Sequence, residues 1–282
     1  MSLKITTLIE NMPDDKGKLV YEHGFSALVE VDGIKILFDT GQTGDFLKNA
    51  DVMDVDLSEL NAVVLSHGHY DHTGGVPKLL SGLKKRTPFY IGREFFCPKY
   101  KLLEDGTYKY NGNPFRKEEL LAEDHLAEVR FVSENVTELF ENVYLFKNFK
   151  RITEYETVNP KFFVRTEQGY EQDFFIDEIA LGIRSKEGLV LIVGCSHVGI
   201  VNILEHIKKE TNLTVAAVLG GTHLVEADDR RLEQTAEALK QYGVKLVAVS
   251  HCTGEAGMKL LQQEFGEGFV RNNTGNILSE NT

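Results

Sequence analysis

The stretch His67-Gly68-His69-Tyr70-Asp71-His72 decides the reading of this chain. It sets three imidazoles and a carboxylate in six residues, directly behind the apolar, β-branched run 62–65. Neutral imidazole and carboxylate suit zinc and other borderline divalent metals. Two histidines separated by one residue cannot share a helix face, but on a turning loop both reach one ion, and Asp71 and His72 can turn toward a second. A histidine-rich surface loop is the plainer alternative, and it ranks second because such strings are rare directly behind a strand.

The same pattern recurs along the chain. AVVLSHGH at 62–69, VLIVGCSH at 190–197, AAVLGGTH at 216–223 and LVAVSH at 246–251 each run from buried-strand composition through small residues into histidine. Three of them precede helical patterns: VNILEHIKKE from 201, DRRLEQTAEALKQYG from 229 with Gly243 as its stop, and EAGMKLLQQEFG from 255. Loops leaving strand ends are where layered α/β proteins collect ligand groups. Six of the nine histidines stand there, so they are expected to converge. Upstream, KITTLIE, FSALVEV and IKILFDT read as strands, with Asp32-Gly33 as a hairpin turn between the last two. In the middle, FYIGREFF and NVYLFKNF read as strands and FRKEELLAEDHLAEV as a helix, within a polar, Tyr-rich stretch. No low-complexity linker interrupts the chain, which predicts one domain over 1–282 with an insertion around 93–150.

Composition narrows the function. Thirty-one Lys and Arg against forty-three Asp and Glu give a net charge of −12, which disfavours a nucleic-acid partner held by a broad basic face. No apolar run approaches the roughly 20 residues of a membrane helix. The opening MSLKITTLIENMPDDKGK has no uninterrupted apolar core and no small-residue cleavage site, so no secretion signal is expected. Three widely spaced cysteines argue against a secreted disulfide framework, and a reducing cytoplasm is the expected home. Nothing in the sequence sets an oligomeric state.

The six-residue string resembles the His-x-His-x-Asp-His signature of the metallo-β-lactamase superfamily. Asp39-Thr40-Gly41, Cys195-Ser196-His197 and Ser250-His251 resemble its other landmarks in order, so the resemblance spans about 20 to 255. Phrases such as Asp71-His72-Thr73-Gly74-Gly75, Gly220-Gly221-Thr222-His223-Leu224 and His251-Cys252-Thr253-Gly254 look like one branch. That branch holds uncharacterised metal-dependent hydrolases and proteins named as dihydropterin ribofuranosylaminobenzene phosphate synthases. The resemblance implies an α/β fold, the four-layer αββα sandwich. It implies one or two zinc ions per subunit, with iron or manganese as alternatives: His67, His69 and His197 on the first, and Asp71, His72 and His251 on the second. Asp39 would stand behind the signature loop as an acceptor, and His23, before a strand, would face the site or simply occupy a turn. Asp173, Asp177 and Glu178 resemble an acidic stretch of the branch and either bond near the metals or cap a strand. Most two-metal members carry a bridging aspartate about where Gly221-Thr222-His223 stands. Here either His223 ligates instead or the bridge is water or hydroxide.

The reaction implied is hydrolysis of a small phosphorylated or phosphodiester substrate, an anionic partner, by a metal-bound hydroxide that Asp71 orients while His223 serves the leaving group. A phosphoribosyl-type transferase of pterin cofactor metabolism and a non-enzymatic metal or ligand sensor are the alternatives. The 25 residues between His197 and His223 are too few for the inserted domain of the nucleic-acid-processing branch, and the 31 after His251 too few for a glyoxalase II-type helical domain. Cys195 and Cys252 each lie within two residues of an expected ligand and could bind zinc as thiolates, but they read first as small buried thiols packing under the site, and His125 and His206 read as surface residues.

Overall fold

The Asp32-Gly33 turn sets the first strand pair. Both residues have positive φ, 47° and 84°, the geometry that matches the right-handed twist of the strands it joins, Ser26–Val31 and Ile34–Phe38. The structure is a computed structural model and describes residues 2–122 and 126–280. The chain divides into two compact units, one of Met1–Val132, Asn159–Asp177 and Asn273–Thr282, the other of Ser133–Val158 and Glu178–Asn272. One domain was expected; this division cuts the anticipated 93–150 insertion at Val132.

The first unit is built on a seven-stranded sheet in the order Ile277–Glu280, Leu3–Ile9, Ser26–Val31, Ile34–Phe38, Ala62–Val64, Thr87–Gly92, Ala127–Val132. From Ile34–Phe38 onward the strands are parallel, so Asp39 and the signature loop leave the sheet at the same edge. Burial forces this arrangement: Leu37, Val63 and Phe89 pack with Phe46 and Leu79 from the helices Phe46–Val52 and Val76–Gly82. A four-stranded antiparallel sheet, Gly169–Gln172, Phe162–Thr166, Lys99–Leu102 and Tyr108–Tyr110, completes the unit.

The second unit repeats the logic. Its sheet runs Phe269–Arg271, Leu246–Ser250, Val215–Gly221, Leu189–Val193, Ala180–Arg184, Val143–Phe146, Val136–Phe140, and the first four strands are parallel. The helices Ile200–Thr211, Asp229–Gln241 and Gly254–Phe265 bury one stripe each, represented by Ile203 and Ile207, Leu232 and Leu239, and Met258 and Leu261. Asp228 caps the second of these by accepting from Arg231 N at 2.8 Å, and Gly243 follows its end at φ 83°.

One expected element differs. Of the helix anticipated over 115–129, the described residues form a single turn, Lys117–Leu120, and the start of the strand Ala127–Val132, while 123–125 lie outside the described residues. The apolar spacing there fits both periods, and parallel pairing with Thr87–Gly92 along its whole length selects the strand. Among the described residues no helix is long and apolar enough to cross a membrane.

Gly220 shows how closely the parallel strands approach. At φ 113°, a Cβ there would lie 1.9 Å from Val193 O. Gly220→Ala should therefore cost at least about 2 kcal/mol, whereas Gly82→Ala, with open space around it, should shift stability by less than about 1 kcal/mol. Urea midpoints of the two variants check this, and equal midpoints would contradict it.

Candidate metal centre

In the first unit the construction starts from Asp39, which is fully buried. Its Oδ2 lies 2.7 Å from His72 Nδ1 and accepts at 2.7 Å from Ser66 Oγ, while Oδ1 accepts from Ser66 N at 2.7 Å. Because the Ser66 hydroxyl proton goes to Asp39, its oxygen accepts from His67 Nδ1 at 2.9 Å. One carboxylate thus fixes both rings as Nδ1–H tautomers and leaves each Nε2 unprotonated. Burial pushes the Asp39 carboxyl up, opposed by His72, and burial with the neighbouring histidines His72 and His69 holds His67 well below the usual imidazole range. His67 is therefore neutral, the form that ligates.

His69 is oriented from the opposite side. Its Nδ1 lies 3.1 Å from His67 Nε2, and Asn111 Nδ2 lies 3.2 Å from its Nε2. With the amide so placed, Asn111 Oδ1 is buried with no hydrogen-bond partner among the described residues. Turning the amide over gives that oxygen the His69 Nε2–H and leaves Nδ1 unprotonated. Two lone pairs then face each other across 3.1 Å, which a shared cation relieves; two nitrogens on one tetrahedral zinc lie roughly 3.3 Å apart. The donor set fits a metal.

Asp71 is buried, and its Oδ2 lies 3.1 Å from His23 Nε2. Asn11 Oδ1 accepts from Gly24 N at 3.0 Å, so its Nδ2 donates to His23 Nδ1 at 3.2 Å. His23, in the bend before the strand, is thereby an Nε2–H donor to Asp71.

The loop backbone is held by ions. Asp177 Oδ2 accepts from Gly68 N at 2.8 Å, and its Oδ1 accepts from the buried Lys99 Nζ at 2.9 Å. Asp173 takes Lys99 at 2.7 Å and the Phe175 N–H at 2.7 Å. Burial alone would lower the Lys99 pKa; the two carboxylates outweigh it and raise it above the usual lysine value. The rings of Phe162 and Phe175 stand 5.3 and 5.5 Å from that of His69, an apolar wall beside the donors.

The second unit brings together its own strand-end residues. His197 and His223 have ring centroids 4.3 Å apart. Ligand atoms of Cys195, His197 and His223 lie within 4.8 Å of one another, as do those of Cys195, His251 and Cys252. His223, expected beside the second metal, packs against His197, the residue expected on the first. Buried Glu178 accepts from His197 N at 2.7 Å and Val198 N at 2.9 Å, and Arg151 Nη2 donates to His197 O at 3.2 Å. Glu156 accepts from Val201 N and Asn202 N, filling the N-terminus of the following helix; burial pushes its carboxyl up. Ser196, His223 and His251, like Asp39 in the first unit, have φ between 45° and 58°. Such backbone costs about 1–3 kcal/mol per residue and persists where neighbours hold it, as Ser196 Oγ does by donating to Gly221 O at 2.8 Å.

Asn111 and Lys99 escaped the sequence reading, since each stands in the Tyr-rich stretch with no signal except an Asn-Gly turn at 111–112. His206, expected at the surface, is buried in its helix against Phe149, with Nε2 3.3 Å from Asn135 O. His125 lies outside the described residues.

The metallo-β-lactamase superfamily matches residues 21–132. A 7,8-dihydropterin-6-methyl-4-(β-D-ribofuranosyl)-aminobenzene-5′-phosphate synthase of Methanocaldococcus jannaschii is 31% identical over 289 residues, covering 98% of this chain and 96% of that one. The chain belongs to the metallo-β-lactamase superfamily. The crystal structure of Tm1679, described as a metal-dependent hydrolase of this superfamily, is 33% identical with a TM-score of 0.85, over 99% of this chain and 100% of that one. Zinc-bound PqqB from Methylobacterium extorquens, 11% identical with a TM-score of 0.59 over 98% and 99% of the two chains, shows the fold alone. The metallo-β-lactamase fold inferred from the signature string is the fold of this chain, and metal binding belongs to it.

Within this superfamily member Asp39 carries the ring orientation. Asp39→Asn should weaken metal affinity roughly 10–100-fold while the chain stays folded. Chelator competition with far-UV circular dichroism checks it, and unchanged affinity would reduce Asp39 to a packing role.

Proposed function

We propose that this protein is a metal-dependent hydrolase of small phosphorylated or phosphodiester substrates. His67, His69 and His197 would hold one ion and Asp71, His72 and His251 a second, with zinc the first candidate and iron or manganese the alternatives. The observation that carries the reading is the facing pair His67 Nε2 and His69 Nδ1, 3.1 Å apart, with Ser66 behind the first ring and Asn111 behind the second. The similarity to Tm1679 supports the hydrolytic class. A bound divalent metal supplies Lewis acidity and brings the pKa of water down to about 7.

The chain's own residues supply the rest. Asp71, steadied by His23, orients the attacking water. His223 donates to an anionic oxygen or the leaving group. Phe162 and Phe175 exclude water beside His69 and strengthen the field there. The six ligands bring a single negative charge, from Asp71, so the centre stays electropositive and favours an anionic substrate.

The relative named as a dihydropterin ribofuranosylaminobenzene phosphate synthase, matching nearly the whole chain, favours a second reading, a phosphoribosyl-type transferase or synthase of pterin cofactor metabolism. A panel of phosphodiesters, phosphomonoesters, thioesters and lactones, assayed with metal-reconstituted protein and again with chelator, separates the two. The hydrolase reading expects turnover of a phosphate ester without a second substrate, abolished by chelation and by His67→Ala. Pyrophosphate release that requires an aromatic amine selects the synthase, and tight metal binding with no turnover selects a sensor.

His223→Ala should keep the first metal and lose roughly 10²–10⁴-fold in rate if the imidazole protonates the leaving group. Metal content and turnover measured on the same preparation check this. Full rate with full metal would make His223 structural, and the loss of one metal equivalent would make it a ligand.

A further inference from the structure

The superfamily's usual bridging aspartate has no counterpart at Gly221-Thr222-His223, and a buried thiol of the second unit, Cys195, stands among the histidines there. The Cys195 sulfur belongs to both buried donor clusters of that unit: it lies within 4.8 Å of ring nitrogens of His197 and His223, and within 4.8 Å of His251 and Cys252. Cys195 is 3% exposed, His197 6% and His251 7%, so the group is screened from bulk water. We infer that Cys195 is a metal ligand, its thiolate shared between the ion held by His197 and the ion held by His251. The inference rests on the metal-centre reading above and adds a ligand to it.

Geometry favours Cys195 over the other thiol. Cys252 belongs only to the His251 cluster; its Sγ accepts the His223 N–H at 3.3 Å and donates toward Cys195 O at 3.5 Å, which binds it into the loop. Gly221 keeps the space open, since a Cβ there would lie 2.5 Å from Cys252 Sγ and 3.2 Å from His251 Cδ2. Two divalent ions served by five imidazoles and Asp71 receive one negative charge from protein. A Cys195 thiolate gives the second, the number an aspartate bridge would supply, and sulfur binds zinc at about 2.3 Å. When metal binds, the sulfur–metal bond forms and the thiol proton leaves to solvent, so uptake at neutral pH is coupled to proton release.

Cobalt(II) titration of metal-stripped protein tests this directly, in a Cys97→Ser background that removes the exposed thiol. Bound cobalt is counted by equilibrium dialysis, and the near-ultraviolet sulfur-to-cobalt charge-transfer band is read by absorption. The band should grow with the first equivalents of cobalt, disappear in Cys195→Ser and persist in Cys252→Ser. Proton release measured in weak buffer at neutral pH should fall by close to one per chain in Cys195→Ser. Cobalt bound without the band in the parent protein overturns the inference, even if the serine variant fails to fold. A band that survives Cys195→Ser or is lost in Cys252→Ser overturns it as well. No bound cobalt in any variant would instead sink the underlying metal-centre reading.

Discussion

Two imidazole nitrogens, His67 Nε2 and His69 Nδ1, face each other across 3.1 Å, and much of the first unit serves to keep them there. Imidazole binds metal through a nitrogen lone pair, and which nitrogen carries that lone pair is decided by the hydrogen bond on the other side of the ring. Asp39 makes that decision for His72 directly and for His67 through Ser66, and the Asn111 side-chain amide stands behind the His69 ring in the corresponding place. A sheet that sends Asp39 and residues 66–72 off the same edge is the scaffold this network requires.

Buried carboxylates are the recurrent device. Asp177 holds Gly68, Glu178 holds His197 and Val198, and Glu156 holds the start of the next helix, each accepting backbone N–H groups that a loop would otherwise leave exposed. Burying these charges is costly, and the arrangement answers the cost with several donors apiece; for Asp173 and Asp177 it adds the Lys99 ammonium. The left-handed backbone at Asp39, Ser196, His223 and His251 fits the same account, since rigid supports allow strand-end residues to turn sharply into a site.

Much of this was legible in the sequence because strand composition and histidine are both strong local signals. Each apolar run that ends in histidine is a strand, and the Asp32-Gly33 turn and three long helices stand where period and caps put them. The Tyr-rich stretch was not legible: Lys99 and Asn111 act through partners far along the chain, Asp173 and His69, and no local pattern encodes such pairs. The expected helix over 115–129 gave way to strand pairing, and His206, polar by type, is buried because its ring finds Phe149 and a backbone carbonyl. The acidic stretch QDFFIDEIAL was noticed as a family feature, and its carboxylates turn out to anchor the two histidine loops of their respective units.

The most direct test of the account is X-ray absorption at the zinc edge of protein loaded with one equivalent of zinc. The orientation of His67 and His69 predicts a nitrogen and oxygen shell at about 2.0–2.1 Å with the outer-shell scattering of at least two imidazoles. A shell of oxygen alone, without imidazole scattering, would contradict it.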